Sequence, residues 1–461
     1  MAGSAIPFRY ARLPRDIARL EDMGLFHAAA LRIRDLLSRN ISEDLRHRLE
    51  YELERIERLK KDYCLSEDEA LRILREEFPD TDEAKFREWE RKGYVDYILV
   101  EGEKRYYRRF LWNLLFLCRD RECVEKLEEK SKERQNARRA LVEHVYGILS
   151  SSSEGYVCPR RVRVRMAVRL KPGVVPEGET VRCWLPFPRL DDQQTDVTLI
   201  ACSPKRYILA PPDHPQRTIY FESETSEKGA EFWAEFEYTV RGFRAHVDPS
   251  SVSKYDEDSP LFQKYTSEQP PHIVFTRSLR GLAMEIVGDE ENPYLRAKRI
   301  YEWITENMTY TYVPEYSTYE SISEYVSRNL RGDCGFHAIL FITLCRVSGI
   351  PARWQSGWYA NPRLDGPAPH DWAQFYVEPY GWLYADLSFG RYWRNRDPRV
   401  YNFYFGNIDS FRTIFNVDIM ANFYPNKKHI RSDPVDNQRG ELEWDKGNIY
   451  YDAFSYDIKY I

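Results

Sequence analysis

The chain has 461 residues, of which 43% are hydrophobic and 15% aromatic; this is enough apolar surface for buried cores and excludes an intrinsically disordered chain. Its 68 basic and 73 acidic residues nearly balance to a net charge of -5, so the composition gives no reason to expect a nucleic-acid or membrane partner. The length predicts about three domains.

Eight cysteines are spread along the chain without the spacing of a metal site or of a disulfide framework, so we expect no metal and no cofactor. Residues 1–10 lack the apolar segment of a signal peptide, and no apolar run reaches a membrane-spanning length. The sequence therefore predicts a cytoplasmic protein with reduced thiols. It leaves the oligomeric state open.

Residues 1–150 are dominated by helical patterns. The capping box Ser66-x-x-Glu69 opens one helix, a second helix follows, and two short strand patterns then flank Glu101-Gly102 as a hairpin. This order of helix, turn, helix and hairpin predicts a winged-helix-like unit at about residues 66–110 inside an otherwise all-α region.

The charge of this unit decides between two interpretations of it. Residues 82–92, the second helix, carry four acidic and four basic side chains, whereas contact with phosphates needs an excess of Lys and Arg. We therefore interpret the unit as a structural or partner-docking module. A winged-helix regulator that binds DNA is the weaker alternative.

A Ser-rich break at residues 150–155 precedes a second region, 156–250, which is predicted to be a β-sandwich. Strand patterns occur at residues 162–170, 180–185, 196–201, 217–222 and 231–240. The first strand alternates apolar residues with Arg161, Arg163, Arg165 and Arg169. This row could hold an anion, but a solvated strand face is the simpler interpretation.

The third predicted domain spans residues 260–461. A helical pattern at 276–307 leads into a short aromatic strand at 308–312. The acidic segment 431–440 does not match the spacing of a calcium loop and is interpreted as an ordered loop that closes the domain, with a role in substrate choice left open.

Cys334 is predicted to lie at the start of a helix in this domain. An apolar run at helical spacing follows Cys334 and ends at Gly349, a typical residue just beyond a helix. The unpaired N–H groups and the positive end of the helix dipole stabilise a thiolate, which is the nucleophilic form of cysteine. The same N–H groups can donate to an oxyanion.

His370 opens one predicted strand, 370–377, and Asp386 lies near the end of the next, 382–387. Alternation along the strands places both side chains on one face. A tight turn at 378–381 would leave them out of register, so a longer loop or a bulge is expected to bring them together. Asp386 can then fix the tautomer of His370 while the other ring nitrogen meets the sulfur.

Four motifs in order resemble the transglutaminase-like superfamily: Gly-x-Cys at 332–334, Ser-Gly-Ile-Pro-Ala-Arg at 348–353, His-x-Trp at 370–372 and Gly-Trp-x-x-x-Asp at 381–386. The resemblance covers about residues 278–390 and implies a papain-like α+β fold. It also implies that Cys334, His370 and Asp386 are the catalytic triad.

The resemblance further implies an aromatic residue that steadies the oxyanion. Tyr310 is the candidate, with Tyr312 and Tyr316 as competitors. One departure from the family pattern is the Asp-Leu-Ser that follows the strand at residue 386, where Asp-Pro-Thr is usual. A second is Asp333, which could raise the pKa of the thiol beside it.

The predicted function is that of a cysteine-dependent amide hydrolase or acyl transferase that forms a thioacyl-enzyme with a peptide, protein or small amide substrate. Trp358 and Trp372 are candidates to line the substrate cleft, with core packing as the alternative. A protein-crosslinking transglutaminase and a non-catalytic peptide-binding scaffold are the alternative functions.

Overall fold

The structure is a computed structural model that describes residues 11–461. Its first region is helical with one hairpin. The elements are α1 (Arg15–Asp22), α2 (Phe26–Leu37), α3 (Glu43–Asp62), α4 (Glu67–Glu77), α5 (Glu83–Arg91), β1 (Tyr97–Val100), β2 (Glu103–Tyr106), α6 (Phe110–Leu117), α7 (Arg121–Ser131) and α8 (Gln135–Leu149). The predicted capping box forms: the Ser66 hydroxyl accepts from the Glu69 N–H, and the Glu69 carboxylate accepts from the Ser66 N–H. Helices α4 and α5 and the β1–β2 hairpin follow one another along the chain and share an apolar core.

Two cysteines in this region are paired. Cys118 and Cys123 form a disulfide, with their Cα atoms 6.0 Å apart. Because α6 ends at Leu117 and α7 begins at Arg121, a short turn brings the two side chains together. The expectation of reduced thiols is therefore wrong for this pair, while the other cysteines are unpaired.

The second region is built of strands β3 (Gly155–Leu170), β4 (Thr180–Pro186), β5 (Gln194–Ser203), β6 (Ile208–Leu209), β7 (Thr218–Glu224) and β8 (Ala230–Arg244). Two sheets enclose one apolar core, to which β3 contributes Val162, Val164 and Met166. The arginines that alternate with these apolar residues along β3 face outward. Arg161, Arg163 and Arg169 form ion pairs with glutamates of β8, and Arg165 stacks on Trp233. The arginine row is thus a solvated strand face.

The third region contains α9 (Pro260–Tyr265), α10 (Arg277–Val287), α11 (Pro293–Asn307), β9 (Thr309–Tyr310), α12 (Ile322–Asn329), β10 (Arg331–Gly332), α13 (Cys334–Val347), β11 (Ala352–Tyr359), β12 (Ala368–Val377), β13 (Gly381–Ala385), α14 (Leu387–Trp393), α15 (Pro398–Phe403), β14 (Phe405–Gly406) and β15 (Arg412–Val417). The helical pattern at 276–307 is split into α10 and α11, because Gly288 adopts a positive φ of 56° and Pro293 starts a new helix.

An antiparallel sheet in the order β14-β13-β12-β11-β15 is the centre of this region. Helix α13 packs on one face through Phe341, which contacts Phe375 of β12. The opposite face carries Trp372 and Tyr384 and is covered by α8, α14 and α15. The last helix of the N-terminal region therefore packs on the sheet that carries the predicted site.

The C-terminal strands are β16 (Glu441–Trp444), β17 (Gly447–Ile449) and β18 (Phe454–Tyr460). They complete the sandwich, whose sheets run β17-β16-β4-β7-β6 and β18-β3-β8-β5. The predicted extent of the third domain, 260–461, is thus wrong at this end of the chain, because β16–β18 join the sandwich. Phe454 and Ile458 are the buried residues of β18, and their side chains pack in the sandwich core.

Candidate active site

Cys334 is the first residue of α13, as the sequence predicts. The side chain of Asp333 caps the helix by accepting a hydrogen bond from the N–H of Phe336 at 3.3 Å. The helix is buried along most of its length, and Gly349 just beyond it adopts a positive φ of 74°. Cys334 remains partly accessible at the helix N-terminus.

The thiol of Cys334 lies against acidic side chains. Its Sγ donates to Oδ2 of Asp371 at 3.3 Å, and Asp371 precedes Trp372 on β12. Burial raises the pKa of Cys334 well above 9, and the negative charges of Asp371 and Asp333 raise it further. The sequence identified Asp333 as a source of this effect, but Asp371 was missed because nothing in an alternating strand marks it as different from its neighbours.

His370 and Asp386 are in contact. Nε2 of His370 lies 2.7 Å from Oδ2 of Asp386, and both side chains are buried. The β12–β13 ladder ends with Ala373 opposite Ala385, so Asp386 lies just beyond β13 and diagonally from His370. A diagonal contact between long side chains needs neither the longer loop nor the bulge that the sequence suggested.

Arg412 of β15 is a second hydrogen-bond partner of Asp386. Its Nη2 donates to Oδ2 of Asp386 at 2.8 Å and lies 3.2 Å from Asp409. Burial favours the neutral carboxyl, but His370 and Arg412 outweigh it and lower the pKa of Asp386 to about 2. Asp386 is therefore an anion that accepts hydrogen bonds. Nε2 of His370 must carry the proton, which leaves the lone pair on Nδ1.

The two halves of the predicted triad lie on different sides of one strand. His370 stacks on Trp372 and contacts the tilted ring of Phe389 on the face that α14 covers, whereas Asp371 points to α13. Among residues 11–461, no hydrogen bond joins Cys334 to His370. The backbone N–H of Asp371, in the peptide that follows His370, lies near the sulfur and lowers the thiol pKa slightly against the larger opposing effects.

Tyr310 lies beside the helix N-terminus. Strand β9 pairs in parallel with β10, which places Tyr310 next to Gly332, two residues before Cys334. Burial and then the charges of Cys334 and Asp333 raise the pKa of Tyr310 well above 10. Its competitor Tyr316 is also close: the Tyr316 hydroxyl lies 2.7 Å from Asp333 and 3.2 Å from Asp371.

His337 is a further titratable group on α13. Its Nδ1 donates to the carbonyl of Asp333 at 2.7 Å, while Nε2 is buried without a partner among the described residues. Burial lowers the pKa of His337 to about 4, so the ring is neutral at pH 7. The His337 ring stacks against the ring of Tyr310, with 6.3 Å between the ring centroids.

Trp358 and Trp372 do not line a cleft. Both side chains have 0% exposure. Trp358 packs in the core of the sandwich and donates to the carbonyl of Gln438, and Trp372 donates to Gln355. The substrate-binding prediction for these two residues is therefore corrected to core packing. Strand alternation turns them inward, which their amphipathic indole rings alone do not reveal.

The segment 431–440 reaches the site from the C-terminal side. Nε2 of Gln438 donates to Asp371 and, at 2.8 Å, to Asp436, which also accepts from Ser356. Burial and the neighbouring charge of Asp436 raise the pKa of Asp371 well above its usual value. This segment thus supplies a second layer of polar contacts behind the thiol.

Two side chains of the N-terminal region hold the segment that follows Tyr310. The buried side chain of Asn113 on α6 donates to the carbonyl of Tyr312 at 2.9 Å and accepts from its N–H at 2.8 Å. Tyr107 donates to the carbonyl of Val313. The N-terminal region therefore packs against the candidate site through Tyr107 and Asn113.

Within residues 11–461, no group of three or more His, Cys, Asp or Glu side chains is arranged to hold a metal ion. No helix in the same range is long and apolar enough to cross a membrane.

Comparison with known proteins places these residues in a family context. Residues 280–387 match the family model described as the transglutaminase-like superfamily. An uncharacterized protein of Haemophilus influenzae is 24% identical over 170 residues, which cover 32% of this chain and 45% of that protein. The chain thus spans less than half the length of this curated relative.

Two solved structures show more distant similarity. A candidate cysteine protease from Cytophaga hutchinsonii is 15% identical, with 67% of this chain and 92% of that chain covered and a TM-score of 0.43. The periplasmic domain of TgpA from Pseudomonas aeruginosa is 12% identical, with 55% and 99% covered and a TM-score of 0.28. The family match includes Cys334, His370 and Asp386, and the mixed helix and sheet of the third region surround them. The chain therefore contains a transglutaminase-like core at residues 280–387, as its four motifs predict.

Proposed function

We propose that this protein is a cysteine-dependent amide hydrolase, with acyl transfer to an amine as a variant of the same chemistry. The single observation that carries the proposal is the bond between His370 and the ionised Asp386, 2.7 Å long, in a core that also starts a helix at Cys334. A buried imidazole whose tautomer is fixed presents a basic nitrogen, which is what a thiol nucleophile needs.

In the proposed reaction, the Cys334 thiol turns away from Asp371, the side chains rearrange so that His370 reaches it, and the thiol proton passes to Nδ1 of His370. The sulfur attacks the amide carbon, and the N–H groups at the start of α13 receive the oxyanion. The C–N bond breaks as His370 returns the proton to the leaving nitrogen, which leaves a thioester on Cys334. Water then gives a proton to Nδ1 and attacks the thioester carbon, and the departing sulfur takes that proton back.

Water and a primary amine compete as the second substrate. The resemblance to bacterial-type members and the lack of a calcium-loop pattern at 431–440 favour water. A peptide-binding scaffold is the candidate of another class, but such a scaffold has no chemical need for Cys334, His370 and Asp386 together. Peptides, proteins and small amides are the proposed substrates.

A peptide library tests this proposal. We would incubate the full chain with tryptic peptides from a bacterial extract, with and without a fluorescent primary amine, and identify products by mass spectrometry. Expected products are new carboxylates that are absent with Cys334→Ala. Preferential incorporation of the amine would favour a transglutaminase, and identical products from Cys334→Ala would contradict the proposal.

A further inference from the structure

The contact between Cys334 and Asp371 gives the thiol an anionic neighbour that the proposed mechanism does not use. Oδ2 of Asp371 accepts from the thiol at 3.3 Å. The position is tightly defined: a Cβ added to Gly335 would lie 2.9 Å from that same oxygen and would overlap the Tyr316 hydroxyl. The carboxyl of Asp371 therefore lies directly over the first turn of α13, where the proposed oxyanion would also sit.

Every element around Asp371 presents a neutral or acidic group. Helix α13 contributes Cys334 and its cap Asp333, the turn before α12 contributes Tyr316, and the segment 431–440 contributes Gln438 and Asp436. Among residues 11–461, no Lys, Arg or His side chain forms an ion pair with Asp371 or Asp333. The cations that lie farther out are already paired, as Arg439 is with Glu315.

Such surroundings give Asp371 two distinct states. As a carboxylate it can only accept hydrogen bonds, so it keeps the proton on the Cys334 sulfur. As a neutral carboxyl it loses that preference and can donate to a thiolate instead. Burial and the charge of Asp436 favour the neutral carboxyl, which makes the change accessible in the folded protein.

We propose that Asp371 is a further catalytic residue, whose carboxylate holds Cys334 in a protonated resting state and releases it when Asp371 is protonated or displaced. The inference rests on the proposed role of Cys334 as nucleophile. In the release step, Asp371 gains one proton from solvent, and the thiol proton passes to Nδ1 of His370. No bond to carbon changes and no electrons are exchanged in this step.

The test compares Asp371→Asn with wild type by the rate of iodoacetamide labelling of each cysteine between pH 6 and pH 9. Removing the negative charge should lower the thiol pKa by at least about one unit. Since a thiolate of lower pKa is also a weaker nucleophile, the gain at pH 7.5 is about threefold per unit. Cys64, which is exposed and unpaired, provides the internal rate standard.

Asp436→Asn is the matched control. Its carboxylate bonds to Ser356 and Gln438 and not to the sulfur, and its charge favours the neutral form of Asp371. Losing that charge leaves Asp371 more ionised, so the labelling of Cys334 should not accelerate. Faster labelling in Asp371→Asn alone supports the proposal.

Slower or unchanged labelling of Cys334 in Asp371→Asn would overturn it, slower labelling being the result expected if Asp371 were simply the base. The buried Cys345 reports folding, because it labels quickly only when the core opens. If Asp371→Asn unfolds by that criterion, Asp371→Ser removes the same charge with less bulk and is judged in the same way. None of these rates requires turnover, so a failure here is distinct from a failure of the proposed hydrolysis.

Discussion

Substitutions of Asp386 and Glu441 can distinguish an effect on stability from an effect on catalysis. Both side chains are buried carboxylates, but only Asp386 contacts the candidate site. Asp386 bonds to Arg412 at 2.8 Å, and Glu441 bonds to Arg431 at 2.9 Å and to Lys427 at 2.7 Å. In both cases burial favours the neutral carboxyl, and the neighbouring basic side chains outweigh this effect. The pKa of each is lowered to about 2.

The magnitude follows from linkage between ionisation and folding. A depression of about two pKa units, at about 1.4 kcal/mol per unit, gives about 2–3 kcal/mol of stability at pH 7 for each carboxylate. Because the folded pKa lies below the unfolded value, this stability is fully present above about pH 4 and is lost as the pH falls through about 2. Asp386→Asn and Glu441→Gln should therefore be destabilised to a similar extent at pH 7, and by less at pH 3.

Urea unfolding followed by tryptophan fluorescence measures the stability, and acylation by p-nitrophenyl acetate measures the chemistry. Asp386→Asn should slow acylation by about 10²–10⁴-fold because the tautomer of His370 is no longer fixed. Glu441→Gln should acylate at the wild-type rate. Equal acylation rates in the two variants would contradict the assigned role of Asp386. A loss of stability relative to wild type that is larger at pH 3 than at pH 7 would contradict the lowered pKa values.

Three further substitutions test how the site is supported. Gly335→Ala places a methyl group against the Tyr316 hydroxyl and should lower the free energy of unfolding in urea by about 1–3 kcal/mol. A decrease smaller than the error of that measurement would contradict the close approach of Tyr316 to Gly335. Asn113→Ala leaves the N–H and the carbonyl of Tyr312 without their side-chain partner, so it should lower the free energy of unfolding by about 1–3 kcal/mol. Hydrogen exchange of the Tyr312 N–H should become faster, and unchanged exchange would count against the docking role of Asn113. Trp358→Phe removes a buried indole from the sandwich core and should lower the thermal midpoint without changing the rate at which Cys334 is acylated; a changed rate at full folding would restore the cleft interpretation.

The helix and strand signals were predictable because they depend on local sequence. The start of α13 at Cys334 and its end before Gly349 follow from a cap and an apolar run. The contact between His370 and Asp386 follows from alternation and the resemblance together, although the sequence predicted a longer loop or a bulge and the contact is a diagonal one in a regular ladder. Local periodicity was therefore sufficient to predict the bounds of α13 and, together with the resemblance, the pairing of His370 with Asp386.

The rest depends on contacts between distant parts of the chain. Arg412, Gln438 and Asn113 reach the site from β15, from the C-terminal segment and from the N-terminal region, and no spacing in the sequence links them to it. The return of β16–β18 to the sandwich is equally non-local, since their strand patterns do not reveal which sheet they join. Alternation also cannot tell a buried indole from a cleft-lining one, which is why Trp372 was misassigned.

Nucleophilic attack by Cys334 with His370 as its base can be measured without knowing the natural substrate. We would mix the full chain with p-nitrophenyl acetate, follow nitrophenolate release, and locate the acetyl group by peptide mass spectrometry in wild type, Cys334→Ala and His370→Ala. We expect a burst of about one nitrophenolate per chain with the acetyl group on Cys334, no burst in Cys334→Ala, and acylation slower by about 10²–10⁴-fold in His370→Ala. Acetylation of Cys334 at equal rates in wild type and a folded His370→Ala would contradict this expectation.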